Sequence, residues 1–121
     1  MSKILISIKP EYVKLILSGE KQYEYRKRVP TNVETAVIYA TVPVKKIVGE
    51  IQIGEVLSSP PKDLWKKTYI HSGLTREKFF QYFDRMSIAH ALFIKEVIIY
   101  EHPMELSALN IKRAPQSWQY I

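Results

Sequence analysis

The chain has 121 residues, of which 46% are hydrophobic and 25% are charged, the length and composition of one ordinary globular domain rather than of a disordered chain. It contains no cysteine, which excludes disulfide scaffolds, thiolate metal sites and cysteine nucleophiles. The 18 Lys and Arg residues exceed the 12 Asp and Glu residues and give a formal net charge of +6, which favours polyanionic partners such as nucleic acids, although a basic protein without such a partner has the same balance.

The N-terminal part of the chain predicts a strand, a helix and a second strand. Isoleucine alternates with other residues over 3–9, which is the period-2 pattern of a strand. Pro10 then suits the first turn of a helix, and Gly19 suits its end. Residues 21–28 alternate again and predict a second strand that Pro30 closes.

The middle of the chain predicts two further strands and two helices. Ala36–Ala40 is short and mostly apolar, as in a strand buried on both faces, and alternation over 47–53 predicts the next strand. Ser59 is a candidate N-cap for a helix that begins with two prolines. Thr75 can cap another helix, whose Phe79, Phe80 and Phe83 we expect in the core.

The C-terminal part predicts one long strand and an edge strand. Ile88–Tyr100 has no purely polar face, so we expect a bulge or burial on both faces. A helical turn at 107–109 and an edge strand at 117–121 follow. Short loops favour antiparallel pairing of neighbouring strands, and long strands favour a partly closed barrel. The predicted fold class is α+β, a small mixed β-barrel with flanking helices.

Uninterrupted apolar runs reach at most five residues, at Ala36–Ala40, which is too short for a transmembrane helix. The first seven residues lack the long apolar stretch of a secretory signal. We therefore expect one cytoplasmic domain over residues 1–121, with no membrane partner.

The densest group of charges lies at residues 18–28, with four cations and two carboxylates. Glu24 and Arg26 share one face of the second strand, so that the guanidinium orients the carboxylate. Lys9 ends the first strand where Lys21 begins the second, and strand ends that meet at a barrel rim often form ligand sites. The group suits a nucleobase edge and a phosphate, but a solvated surface of ordinary ion pairs has the same pattern.

Other chemistry has little support in the sequence. His71, His90 and His102 lack the spacing of a metal site, and glycine-rich phosphate loops and serine-nucleophile motifs are missing. We therefore predict no metal and no cofactor. The remaining uncertain aromatics either pack in the core or stack on a base at the basic rim; these are Tyr23, Tyr25, Tyr39, Trp118 and Tyr120.

Three segments resemble the ASCH domain family. They are Ile6–Tyr12, Ser18–Lys21 and Glu24-x-Arg26, which together contain the family's G-x-K-x-x-E-x-R hallmark. Softer matches at 38–41, 43–50 and 114–117 resemble a small stand-alone branch described as predicted transcriptional regulators with a PUA-like domain.

The resemblance implies a PUA-like β-barrel that binds RNA or a nucleotide beside the hallmark motif, and a regulator that acts through RNA. It implies ligand binding by Lys21, Glu24 and Arg26, with Lys9, Tyr39 and Ser117 as secondary candidates. We expect the ligand to be single-stranded, because a base must be splayed out to be stacked. In this hypothesis Lys9, Lys21 and Arg28 contact phosphate, and a tyrosine or Trp118 stacks on the base.

Two alternatives remain open. Some ASCH relatives are enzymes, and here Lys21 and Glu24 are the catalytic candidates of a small hydrolase acting on RNA or on an acylated nucleoside. Relatives that remove an acyl group from a nucleoside use the hallmark Lys, a Thr three positions later and a distant Glu. This sequence has Glu24 at the position of that Thr, and residues 68–73, where the distant Glu would fall, contain no acid. The second alternative is a protein-interaction module in transcription, in which the charged group contacts an acidic partner.

Overall fold

The computed structural model describes residues 2–121, which contain six strands, three α-helices and two turns of 3₁₀-helix. The elements are β1 Ser2–Ile8, α1 Pro10–Ser18, β2 Tyr23–Arg26, β3 Val33–Ala40, β4 Lys46–Ser59, α2 Pro61–Thr68, α3 Arg76–Tyr82, β5 Ala89–Met104 and β6 Trp118–Tyr120, with 3₁₀ turns at Tyr69–His71 and Leu106–Leu109. The predicted order of elements is confirmed. Within these residues, no helix is both long and apolar enough to cross a membrane.

The six strands form one mixed sheet in the order β2-β5-β4-β3-β1-β6. β1 runs parallel to β3, whereas β1–β6, β2–β5, β3–β4 and β4–β5 are antiparallel. The expectation that short loops join antiparallel neighbours is confirmed for β3 and β4, but β2 and β3, which a short loop also joins, are not paired. The parallel strands β1 and β3 are connected through α1 and β2, the long connection that parallel pairing requires. The sheet curls into a half-barrel, which confirms the α+β, PUA-like class.

Three apolar clusters hold the half-barrel together. The first covers one face of the sheet with residues such as Ile6, Ile38 and Ile51. The second packs α2 and α3 on β2 and β5 through Tyr25, Leu64, Phe79 and Phe83. The third covers the opposite face of β1, β3 and β4, through residues such as Leu5 and Val37. β3 is buried on both faces as predicted, and so is most of β1.

Two helix starts were predicted with different success. Thr75 caps α3, since its side chain accepts a hydrogen bond from the backbone N–H of Lys78. The predicted cap at Ser59 is wrong: Ser59 pairs with Ala89 and remains the last residue of β4. The N-cap of α2 is Pro60, because the sheet ladder holds the serine in extended backbone. The bulges expected in the long strand are confirmed by register shifts between β4 and β5.

Candidate functional site

A cleft of about 670 Å³ opens where the end of β1, the start of α1, β2 and α3 meet. This volume is within the range of small-molecule sites, roughly 300–1,000 Å³. We call it the cleft; its lining residues are Ser7, Ile8, Lys9, Glu11, Tyr12, Lys21, Glu24, Tyr25, Arg26, Thr41, Leu74, Lys78, Gln81, Tyr82, Gln116 and Ser117. Five of the six predicted ligand-binding residues line it.

Lys21 lies at the floor of the cleft rather than at its basic rim. The residue is 2% exposed, and its Nζ donates a 2.5 Å hydrogen bond to the carbonyl oxygen of Ser72. The same ammonium lies 4.9 Å from the centroid of the Tyr25 ring and 5.5 Å from that of Tyr12. A lysine enclosed in this way does not reach out to a phosphate at the surface.

Burial lowers the pKa of Lys21 below its ordinary value of 10.5. The carboxylate of Glu24 opposes this effect because it favours the charged ammonium, and the nearby Arg26 guanidinium lowers the pKa further. Buried ionisable groups of this kind that open on a cleft are concentrated at functional sites.

The turn at Ser72 and Gly73 encloses the stem of Lys21. Gly73 has φ of +70°, a left-handed conformation that glycine adopts without steric cost. A Cβ placed on Gly73 would lie 2.9 Å from each of Cβ, Cγ and Cδ of Lys21. The missing side chain therefore lets the turn pack directly on the lysine.

Glu24 and Arg26 form the ion pair that their shared strand face predicted. Nη2 of Arg26 donates a 2.8 Å hydrogen bond to Oε2 of Glu24. The other carboxylate oxygen, Oε1, lies 3.8 Å from Nζ of Lys21. Glu24 is 7% exposed, so the carboxylate is held between two cations at the floor of the cleft.

Arg26 also joins β2 to the opposite side of the half-barrel. Its Nη2 donates to the backbone carbonyl of Ser7 at 2.9 Å, and its Nη1 donates to Oγ of Ser117 at 3.0 Å. The backbone of Ser7 in turn donates to the carbonyl of Ser117 at 2.9 Å. Nε of Arg26 is buried and finds no hydrogen-bond partner among residues 2–121.

The rim of the cleft combines residues that were predicted with residues that were not. Lys9 is exposed and lines the cleft. Lys78, Gln81 and Tyr82 lie on α3 and face the same space. Sequence reasoning used only the apolar face of this helix. On the opposite face, Lys78, Gln81 and Tyr82 are spaced at i, i+3 and i+4, and this spacing indicates that they lie on one side of the helix.

Three residues proposed for ligand contact lie elsewhere. The structure buries Tyr39 in the cluster with Leu5, Val37 and Ile47. Alternation along β3 sends its side chain to the face of the sheet opposite the one that Ile38 lines. Trp118 is buried in the core, its indole N–H donates to the carbonyl of Arg28, and the Arg28 guanidinium lies 4.0 Å from the ring centroid. The Arg28 guanidinium therefore packs on the Trp118 ring, and neither side chain lines the cleft.

The histidines are not gathered into a metal site. Among residues 2–121, no three or more His, Cys, Asp or Glu side chains lie together in a way that could hold a metal ion. Nδ1 of His90 is instead 2.7 Å from Oγ of Ser58 on the neighbouring strand. That pair lies outside the cleft.

Comparison with known proteins identifies the domain type. The ASCH domain model matches residues 6–104. The ASCH domain-containing ribonuclease of Zymomonas mobilis is 31% identical over 94 residues, which cover 76% of this chain and 64% of that protein. The large ribosomal subunit protein uL22 of Ureaplasma parvum is 30% identical over 120 residues, 98% of this chain. This chain spans only 39% of the length of that uL22.

Solved structures give the same result. A crystal structure of ASCH from Zymomonas mobilis superposes with a TM-score of 0.88 at 28% identity, covering 98% of this chain and 87% of that chain. A serine-to-alanine variant of the same protein gives 0.89 at 26% identity with the same coverage. The N-terminal domain of Staphylothermus marinus McrB shares only the general fold, with a TM-score of 0.52 at 13% identity, covering 88% of this chain and 78% of that chain. This chain belongs to the ASCH domain family.

Proposed function

We propose that this ASCH domain binds single-stranded RNA and holds one nucleotide in the cleft. The observation that carries the proposal is the composition of the cleft, which has exposed cations at its rim and the Glu24–Arg26 pair at its floor. Lys9 and Lys78 are placed to contact the phosphates that flank a bound nucleotide. The carboxylate and guanidinium offer one acceptor group and several donors to a base edge.

Two tyrosines supply ring faces beside these polar groups. Tyr12 lines the cleft from α1 and Tyr82 lines it from α3. Burial raises the pKa of Tyr82 above its ordinary value of 10.0, so its ring stays a neutral phenol at physiological pH. Stacking on such rings requires an unpaired base, which favours single-stranded over duplex RNA. The ribonuclease name of the Zymomonas relative supports RNA as the ligand class.

An amide NMR titration with a single-stranded RNA of about six nucleotides tests this proposal. We expect shifts at Lys9, Lys78 and residues 21–26, and an affinity that falls as salt increases because phosphate contacts release counterions. Lys78→Gln should weaken binding. Lys95→Gln makes the same charge change at an exposed position on β5 outside the cleft and should not. Equal binding by both variants, or no shifts at low salt, contradicts the proposal.

A second candidate, a metal-independent ribonuclease, is favoured by the buried lysine. In such cleavage a base takes the proton of a 2′-hydroxyl, the oxygen attacks the adjacent phosphorus, and the 5′-oxygen leaves with a proton. A lysine of lowered pKa beside a carboxylate can take part in these proton transfers. Lys21 and Glu24 are the two groups at the cleft floor that fit these roles.

RNA integrity distinguishes binding from cleavage. Under the ribonuclease hypothesis, the wild-type protein shortens the RNA in the presence of a chelator and leaves a 2′,3′-cyclic phosphate, and Lys21→Met and Glu24→Gln do not. Cleavage by one of these variants at the wild-type rate excludes the residue that it replaces as catalytic. Intact RNA with the expected shifts leaves a binding domain, as in the hypothesis of a regulator acting through RNA. A partner captured equally with and without nuclease treatment, and no RNA shifts, would instead favour protein recognition.

A further inference from the structure

We propose that a second surface, on α2, the 3₁₀ turn that follows it and α3, continues the RNA-binding path beyond the cleft. We call it the ridge; it consists of Lys66, Tyr69, Trp65, Phe80 and Arg76. The inference deepens the proposed function and rests on it, because the ridge would bind nucleotides that flank the one in the cleft.

The ridge is a continuous row of rings that ends in a cation. The ring centroids of Tyr69 and Trp65 are 6.0 Å apart, and those of Trp65 and Phe80 are 6.2 Å apart. The Arg76 guanidinium carbon lies 4.9 Å from the centroid of Phe80. Aromatic rings interleaved with cations are the usual means by which proteins bind single strands without reading their sequence.

The rings are anchored by the core, on which the half-buried Trp65 and Phe80 pack. Phe79 is fully buried, and its centroid lies 4.9 Å from that of Trp65 and 5.1 Å from that of Phe80. Tyr69 is 52% exposed, and Arg76 and Lys66 are exposed. A platform held by the core loses little side-chain freedom when a base stacks on it.

The charge of the two helices suits a polyanion. Their exposed cations outnumber their acids, which are Asp63 in the first turn of α2 and Glu77 in the first turn of α3. The cations are Lys62, Lys66 and Lys67 on α2 and Arg76 and Lys78 on α3. RNA phosphates are therefore attracted along this surface.

α3 lies between the ridge and the cleft and contributes to both. Its Lys78, Gln81 and Tyr82 line the cleft, whereas Arg76 and Phe80 face the ridge. A strand that leaves the cleft across this seven-residue helix reaches the ridge after roughly 10 Å, the width of one helix. Two or three nucleotides of extended single strand suffice for that crossing.

The test compares a trinucleotide with an oligonucleotide of about twelve nucleotides in binding to wild-type, Tyr69→Ala and Arg76→Gln proteins. We expect Tyr69→Ala to lower affinity for the longer RNA at least about fivefold, the lower end of the effect of removing one stacked base. Arg76→Gln should also lower it, because a phosphate contact is lost, and both variants should leave trinucleotide affinity unchanged. Lys95→Gln, outside both surfaces, is the charge-matched control for Arg76→Gln and should bind both RNAs as the wild type does.

Each other outcome overturns the inference in a distinct way. Unchanged binding of the longer RNA by both variants shows that the ridge does not bind RNA but leaves the cleft proposal intact. An equal loss for both RNAs shows that the variants act on the cleft itself rather than on a separate surface. A wild-type protein that binds neither RNA overturns the proposed function and the ridge together.

Discussion

Replacing Gly73 with alanine tests whether the turn at residues 72–73 sets the environment of Lys21. The substitution has two separable costs. An alanine at φ of +70° adopts a left-handed conformation that costs about 1–2 kcal/mol. Its Cβ would also lie 2.9 Å from three carbons of the buried Lys21 stem, and overpacking of a core contact costs typically about 1–3 kcal/mol. We therefore expect Gly73→Ala to lower the free energy of unfolding by about 2–5 kcal/mol.

Gly19 provides a matched control at the C-cap of α1. It has φ of +87°, and a Cβ there meets nothing within 4 Å among the described residues. Gly19→Ala therefore carries the conformational cost, about 1–2 kcal/mol, without the collision. The difference between the two variants measures the contact with Lys21.

Two measurements decide the matter. Urea denaturation gives the two losses of stability, and NMR titration of the lysine side chain gives its pKa. A turn displaced by the new methyl group admits water to Lys21, so its pKa should rise toward 10.5 in Gly73→Ala but not in Gly19→Ala, because burial is the main cause that lowers it. Equal losses within about 0.5 kcal/mol and an unchanged lysine pKa would refute the reasoning.

Two further predictions concern the walls of the cleft. Tyr25→Phe should cost about 1 kcal/mol at neutral pH, because the Tyr25 hydroxyl lies 2.6 Å from Oγ1 of Thr68 in a buried hydrogen bond. Burial raises the pKa of Tyr25 to about 12, so the wild type loses about 2 kcal/mol of stability relative to Tyr25→Phe as pH rises from 10 to 12. The wild type should therefore change from the more stable protein at neutral pH to the less stable one near pH 12, and a constant difference would contradict the shift. Arg26→Met should cost about 3 kcal/mol because it leaves the Glu24 carboxylate without its 2.8 Å partner, and it should speed hydrogen exchange in β6. A loss under about 1 kcal/mol with unchanged exchange would show that the pair is not structural.

Much of the fold follows from periodicity. Alternation in β4 and the apolar faces of the helices indicate which residues turn inward, whereas most of β1 is buried on both faces despite its alternation. The parallel pairing of β1 with β3 does not follow from them, because local patterns do not show which strands are neighbours. The Ser59 prediction fails for a similar reason, since the pairing of Ser59 with Ala89 outweighs its local preference for a cap.

The site was predictable only in part. The two-residue spacing of Glu24 and Arg26 fixes their common face, and the structure joins them. The burial of Lys21 depends on Ser72, 51 residues away, and nothing near the lysine in sequence indicates it. Tyr39 lies in a strand buried on both faces, so hydrophobicity alone does not show which of its sides meets a ligand.

Arg26 makes the geometry of the site depend on closure of the half-barrel. β2 and β6 are the two edges of the sheet, and the guanidinium extends from β2 to the carbonyl of Ser7 on β1 and to the side chain of Ser117 just before β6. The same group fixes the Glu24 carboxylate. A ligand that binds Glu24 or Arg26 therefore competes with, or shifts, the hydrogen bonds that join the two edges of the sheet. A planar guanidinium makes these bonds in a fixed fork. Arg26→Lys therefore keeps the charge but should not bond Ser7, Ser117 and Glu24 at the same time.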